Sequence, residues 1–169
     1  IVHVDGSVDP IRDKETIDLE LQLKDLETVE KRLEKVSRAA RTGNKEAIKE
    51  QEVLDQVQKG LATATSVRAL AIAEDDRQAY VVSLQLLTDK PVLYVCNVDE
   101  SSAVKGNAYV DEVRKKVDPE GAEVLVLAVS TEADINELET YEERQLFLDD
   151  LGLTEPGAAK LIRSAYAIL

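Results

Sequence analysis

Apolar residues in the first third of the chain follow a seam. Leu19, Leu26, Val29, Leu33, Val36 and Ala40 recur at spacings of seven, three, four, three and four. That rhythm keeps a narrow apolar stripe on one side of a helix, as in a coiled coil. The helix is expected to start near Asp9 or Asp13. Pro10 needs no N–H partner there, and an Asp side chain can accept from the orphan N–H groups. Thr42-Gly43-Asn44 breaks the stripe. Gly43 suits a left-handed C-terminal cap, and Asn44 can cap a following helix. Ala47, Leu54, Val57 and Leu61 form a second stripe. Two stripes joined by a three-residue turn predict an antiparallel helical hairpin. A third helical run over about 75–87 carries Ala79, Val82, Leu86 and Leu87, and the small, hydroxyl-rich stretch 62–71 reads as a loop.

The texture changes at Pro91. Val92-Leu93-Tyr94-Val95-Cys96 and Val124-Leu125-Val126-Leu127-Ala128-Val129 are continuous apolar runs. Runs of this length suit strands buried on both faces, typical of parallel sheets. Between them, 108–117 places Val110, Val113 and Val117 on one helical face. The three elements predict a β-α-β unit with a right-handed crossover. Three helical segments follow. Thr131 is expected to cap one running to Leu138, and Thr140 with Glu143 has capping-box spacing. Thr154-Glu155-Pro156 is expected to cap a last helix carrying Leu161, Ile162, Ala165 and Leu169. The fold class is therefore α/β: a partial parallel sheet with an antiparallel α-helical hairpin at 10–88 and an α/β portion at 90–169. One β-α-β unit buries little, and such a sheet wants further strands. The chain also opens on Ile1-Val2-His3-Val4 without Met, which reads as a strand end or an interior loop. Both features suggest a piece of a longer protein.

Composition narrows the function classes. In 169 residues, 21 Lys and Arg face 34 Asp and Glu, for a net charge of −13. Charged residues make up 33%, above the usual ~25%, in keeping with long solvated helices. The single Cys96 excludes an intrachain disulfide and a zinc site built from several cysteines, and the single His3 excludes a multi-His centre. A metal-dependent hydrolase is disfavoured because the acids show no ligand spacing; no metal site is assigned. No apolar run approaches the ~20 residues of a membrane span, and no signal peptide is evident, so no membrane partner is expected and the cytoplasm is the expected compartment. The charge is unevenly spread. Residues 31–41 carry Lys31, Arg32, Lys35, Arg38 and Arg41 against Glu34, with Lys45 and Lys49 beyond the turn, whereas 132–155 hold nine acids and one Arg. A basic stripe on an acidic chain can steer toward phosphate backbones. The alternative is an ordinary solvated helix face with pairs such as Glu27–Lys31 and Glu34–Arg38.

Candidate chemistry gathers after the first strand, at Asn97-Val98-Asp99-Glu100. In open α/β sheets ligands bind beyond the carboxyl ends of strands. An Asn followed three positions later by a carboxylate can present an amide and an acceptor to the edge of a flat heterocycle. A short carboxylate suits the paired N–H donors of guanine; a longer, displaced Glu admits the amino group of adenine. The plain alternative is that Asn97 bonds only a turn backbone. The second strand ends in Ala128-Val129-Ser130-Thr131, a loop that should lie beside the first. Its backbone and the Ser130 hydroxyl could reach a bound base, or Ser130 and Thr131 could serve only as caps.

With 13–27, 90–100, 132–138 and Leu151-Gly152-Leu153, these residues resemble the YchF / Obg-like ATPase family in the family's order along essentially the whole chain. The resemblance implies a P-loop NTPase of the Obg branch, with a helical hairpin inserted into its nucleotide domain, ribosome association, and acceptance of ATP as well as GTP. It implies that 1–9 end the first nucleotide-domain segment, that 10–88 are the helical insertion, and that 90–169 are the C-terminal half of the nucleotide domain. By position, Asn97 and Glu100 would recognise the base, with Val98 and Ser130 beside it. The hairpin residues Lys31, Lys35, Arg38, Arg41 and Lys45 would contact the ribosome or its RNA. The chain departs from the family in lacking G-x-x-x-x-G-K-[ST], since its seven glycines never fall in that pattern. Without it there is no phosphate cradle, no phosphate-binding Lys and no Ser/Thr for Mg²⁺. Mg²⁺ is expected only in a full-length protein, no residue here is assigned a catalytic role, His3 does not match the family's catalytic histidine, and the chain alone is not expected to hydrolyse nucleotide. The competing reading is a non-enzymatic helical-hairpin module that binds ribosome or protein partners.

Overall fold

α1 (Pro10–Ala40) and α2 (Lys45–Ala62) form the hairpin in a computed structural model that describes residues 6–168. The strand-end reading of residues 1–4, His3 and Leu169 lie outside the described residues. The Asn44 carboxamide caps α2, accepting from the Glu46 and Ala47 N–H groups at 3.0 and 3.1 Å. Gly43 takes φ +84°, a conformation that a Cβ would strain. Val29, Val36, Ala47, Val53, Leu54, Val57 and Leu61 are buried in one cluster, with Leu26 and Leu33 packed against it.

The seam departs from expectation below Leu26. Leu19 is 51% exposed, while Gln22 and Asp25 are buried. The reason is the difference in length: α1 has 31 residues and α2 has 18, so the base of α1 faces loops instead of a helix. Loops bring backbone N–H groups that need acceptors. The Asp25 carboxylate accepts from the Leu87 and Thr88 N–H groups at 2.8 and 2.7 Å, and Gln22 Nε2 donates to Ser66 Oγ at 3.4 Å. Thr88 Oγ1 in turn accepts from the Val67 N–H at 3.1 Å. Arg77 pairs with Asp89 and donates to the Val67 and Leu70 carbonyls. The stretch read as a loop contains one 3-10 turn, Val67–Ala69.

The third helical run is irregular. α3 (Glu74–Asp76) widens into a π turn at Arg77–Val81, tightens into a 3-10 turn at Val82–Leu84, and ends at Gln85 with φ 52°. A π turn adds a residue, so the apolar stripe slips by one. Val81 and Leu86 are buried, whereas Ala79, Val82 and Leu87 are exposed, against the expectation.

The other unit carries the parallel sheet. β1 (Leu93–Asn97) pairs with β2 (Glu123–Leu127), with Asn97 opposite Leu127. α4 (Ala108–Val117) links them, capped by Asn107, and buries Val110, Val113 and Val117. β1 is not buried on both faces: Val95 is 45% exposed. Among the described residues β1 has β2 on one side only, so its outer side chains are less covered. α5 (Val129–Glu137), α6 (Tyr141–Asp150) and α7 (Gly157–Ala167) follow. α6 has the predicted capping box, Thr140 with Glu143. Two other caps differ from expectation. α5 starts two residues before Thr131, which is therefore inside the helix and buried, its Oγ1 without a partner. At α7 the cap comes from a distant carboxylate: Glu132 accepts from the Gly157 and Ala158 N–H groups at 2.6 and 3.0 Å. Glu155 instead pairs with Arg163.

The chain divides into two compact units, Arg12–Lys90 and one that includes residues 91–168. No helix among the described residues is long and apolar enough to cross a membrane.

Candidate functional site

The parallel register brings the two candidate loops together. Because Asn97 lies opposite Leu127, the chain leaves both strands side by side at their carboxyl ends. Asn97 is the last residue of β1, and Val98 extends the ladder by donating its N–H to the Leu127 carbonyl at 2.8 Å. That N–H is therefore spent in the sheet. The Asn97 Oδ1 accepts from the Val129 N–H at 3.1 Å. This bond caps α5 from another loop, because Ala128 at the N-cap position has no side-chain acceptor.

The plain reading of Asn97 thus holds for its oxygen, which bonds backbone. Its amide Nδ2 donates to no described residue and the residue is exposed, so one half of the carboxamide is fixed and the other carries no bond to a described residue. Holding an amide by its oxygen also sets which way its N–H bonds point, since the group is planar.

Glu100 opens a 3-10 turn, Glu100–Ser102. It is exposed, and its carboxylate has no partner among the described residues. Its neighbour Asp99 is bonded through one oxygen, Oδ1, which accepts from the Ser102 N–H at 2.9 Å and the Ser101 hydroxyl at 2.7 Å. These donors, Ser101 first, hold the Asp99 carboxyl below the usual range. Ser130 is exposed in the first turn of α5, and Val129 is 52% exposed beside it. The site therefore offers an amide donor, a free carboxylate, an apolar side chain and a hydroxyl, next to the positive end of a helix dipole. Such a set fits the edge and face of a polar heterocycle. Cys96 lies next to Asn97, and partial burial raises its thiol pKa, so it is a poor nucleophile.

Sequence reading placed Asn97, Val98, Glu100 and Ser130 and missed the anchors: the Asn97–Val129 bond and the Asp99 turn. The Asp-x-x-Ser spacing was the available sign for the second. The first spans 32 positions and has no local sign.

The basic candidates lie on the hairpin and separate into two groups. Lys31 pairs with Glu27 at 2.6 Å; Lys31 and Lys24 draw the Glu27 carboxyl down to about 2. Arg32 pairs with Glu50 across the hairpin at 2.6 Å, and Lys49 with Asp76 at 2.9 Å. Lys35, Arg38, Arg41 and Lys45 are exposed and make no ion pair among the described residues. The expected Glu34–Arg38 pair does not form. Net positive charge therefore concentrates at the hairpin tip.

No family model matches the chain. Over its whole length it is 44% identical to the ribosome-binding ATPase YchF of Bacillus subtilis strain 168, of which it covers 46%. It is 40% identical to the protein of the same name from Escherichia coli O157:H7, again covering 46%. It is 33% identical to Obg-like ATPase 1 of Rattus norvegicus, covering 43%. Among solved structures it matches that of the Schizosaccharomyces pombe YchF GTPase with a TM-score of 0.86 at 31% identity, over all of this chain and 46% of that one. The chain thus spans about half the length of the relatives it matches.

Proposed function

The chain belongs to the YchF / Obg-like ATPase family, and from that premise we propose that it is the base-recognising middle portion of a ribosome-binding, ATP- and GTP-binding P-loop NTPase. Asn97 Nδ2 donates to the base and the Glu100 carboxylate accepts from its exocyclic amino group. Val98, Val129 and Ser130 line the same edge. The observation that carries this reading is the free amide of Asn97 and the free carboxylate of Glu100, presented together beyond the ends of two parallel strands. The hairpin serves as an arm whose tip, through Lys35, Arg38, Arg41 and Lys45, meets ribosomal phosphates; Lys31 contributes less because Glu27 neutralises it.

Phosphate and Mg²⁺ chemistry is not assigned to these residues. The chain has no phosphate-cradling glycine motif. Among the described residues no group of three or more His, Cys, Asp or Glu is placed to hold a metal ion.

The test is a base swap in the full-length protein that carries this chain. Glu100→Asp with Val98→Lys shortens the carboxylate toward paired N–H donors and lays a cationic stem along the base. ATP and GTP affinities are then compared by calorimetry. Preference should move toward GTP by about tenfold, the scale of one well-made polar contact to a base. Unchanged affinities for both nucleotides would remove Asn97 and Glu100 from the base site.

A further inference from the structure

Two acids stand side by side in this loop, both exposed, and only Asp99 is bonded to its own turn. Asp99 turns back on its own chain. Its carboxylate accepts from Ser102 N–H and Ser101 Oγ, and its carbonyl also accepts from Ser102 N–H at 3.1 Å. The turn is closed further by Ala103 N–H to the Glu100 carbonyl at 3.1 Å and by Gly106 N–H to the Ser102 carbonyl at 2.7 Å. The Asp99 bonds span Glu100 and the Ala103 bond ends on its carbonyl, so its backbone is held while its side chain bonds no described residue.

We infer that Asp99 is a positioning residue for base recognition: by capping the Glu100–Ser102 turn it fixes the direction in which Glu100 projects. This rests on the base-recognition reading above. The physical argument is entropic. An exposed loop glutamate samples many rotamers on a mobile backbone, and ordering it on binding weakens affinity. A capped turn removes the backbone share of that cost beforehand.

The experiment uses the full-length protein and three variants: Asp99→Ala, Asp99→Asn and Glu100→Gln. ATP and GTP affinities are measured by calorimetry, with inorganic tripolyphosphate as a base-free probe of the phosphate end. Asp99→Ala is expected to weaken ATP by about three- to tenfold, the scale of a lost cap, and to change the ATP/GTP ratio while tripolyphosphate binding stays as in the parent. Asp99→Asn keeps the acceptor and should restore both values. The inference is overturned if Asp99→Ala leaves ATP, GTP and their ratio unchanged while Glu100→Gln shifts the ratio; base recognition then survives without it. It is also overturned if tripolyphosphate weakens in parallel, because the effect is then general loss of structure, or if Asp99→Asn behaves like Asp99→Ala. If neither Asp99→Ala nor Glu100→Gln moves the ratio, the base-recognition reading fails as well.

Discussion

Replacing Asp25 with Ala removes the carboxylate that accepts the Leu87 and Thr88 N–H groups at 2.8 and 2.7 Å at the base of the hairpin. The two donors differ in what replaces it. Leu87 is 41% exposed, so water can take over. Thr88 is 1% exposed, so its N–H stays unpaired. An unpaired buried donor costs about 1–3 kcal/mol, and a hydrogen bond to a charged acceptor contributes about 1.5–3 kcal/mol. Losing the carboxylate also relieves its own desolvation, which offsets part of the penalty. The balance is a loss of about 2–4 kcal/mol, a large share of the ~5–15 kcal/mol of a typical domain. Asp25→Asn keeps the shape and one acceptor, and is expected to lose less than half as much. Urea unfolding of the whole chain followed by far-UV circular dichroism gives the magnitude. Amide hydrogen exchange at Thr88 and Val67 gives the location, because Val67 N–H donates to the Thr88 hydroxyl and should lose protection with it. A loss under about 0.5 kcal/mol, with exchange unchanged at both amides, would refute the reasoning.

Three further outcomes are expected. Reversing Lys35, Arg38 and Arg41 to Glu should weaken co-sedimentation of the full-length protein with ribosomes and flatten its salt dependence, since fewer phosphate contacts release fewer counterions; unchanged binding at low salt would remove the hairpin tip as a contact. Gly157→Ala drives a Cβ into Leu127 Cδ2 and to 2.9 Å from Glu132 Oε1, so it should cost about 1–3 kcal/mol and lower the melting temperature; an unshifted melt would show that Leu127 moves aside freely. Glu27, Glu143 and Glu155 are all held below their ordinary 4.5, by Lys31 and Lys24, by the Thr140 N–H and hydroxyl, and by Arg163 respectively. Folded values below unfolded ones mean stability that is present above 4.5 and lost as pH falls through the folded values, at about 2 for Glu27. Carboxyl NMR titration of the folded chain checks this, and ordinary titration near 4.5 would contradict it; the contributions are small and salt-sensitive because all three groups are exposed.

Local features were legible where the physics is local. The turn at Gly43 and Asn44 depends on residues within four positions, as does the Thr140–Glu143 box, and both form as read. The stripe Val110, Val113, Val117 is buried as its spacing requires. The resemblance to the YchF / Obg-like ATPase family lay in the order of segments along the chain, and whole-length similarity bears it out.

Errors came where distant groups compete. Spacing assigned Leu19 to the seam, but the shorter partner helix leaves loop N–H groups there, and Asp25 satisfies them better than a leucine could. The π turn at Arg77–Val81 shifted the third stripe, because one extra residue per turn is invisible to a 3.6-residue period. Thr131 and Thr154 looked like caps by residue type, yet α5 is capped by Asn97 and α7 by Glu132, 32 and 25 positions away.

The candidate site divides the same way. Its residue types, Asn97 and Glu100 at the end of a strand, were readable from the sequence because the chemistry of a donor and an acceptor three residues apart is carried by the residues themselves. Which atoms are free was decided by tertiary structure. The β1–β2 register spends the Asn97 oxygen and the Val98 N–H on the neighbouring strand and loop, and the Asp99 turn leaves Glu100 open. A sequence lists the hydrogen-bonding groups, but only packing determines which of them the protein satisfies internally and which remain for a ligand.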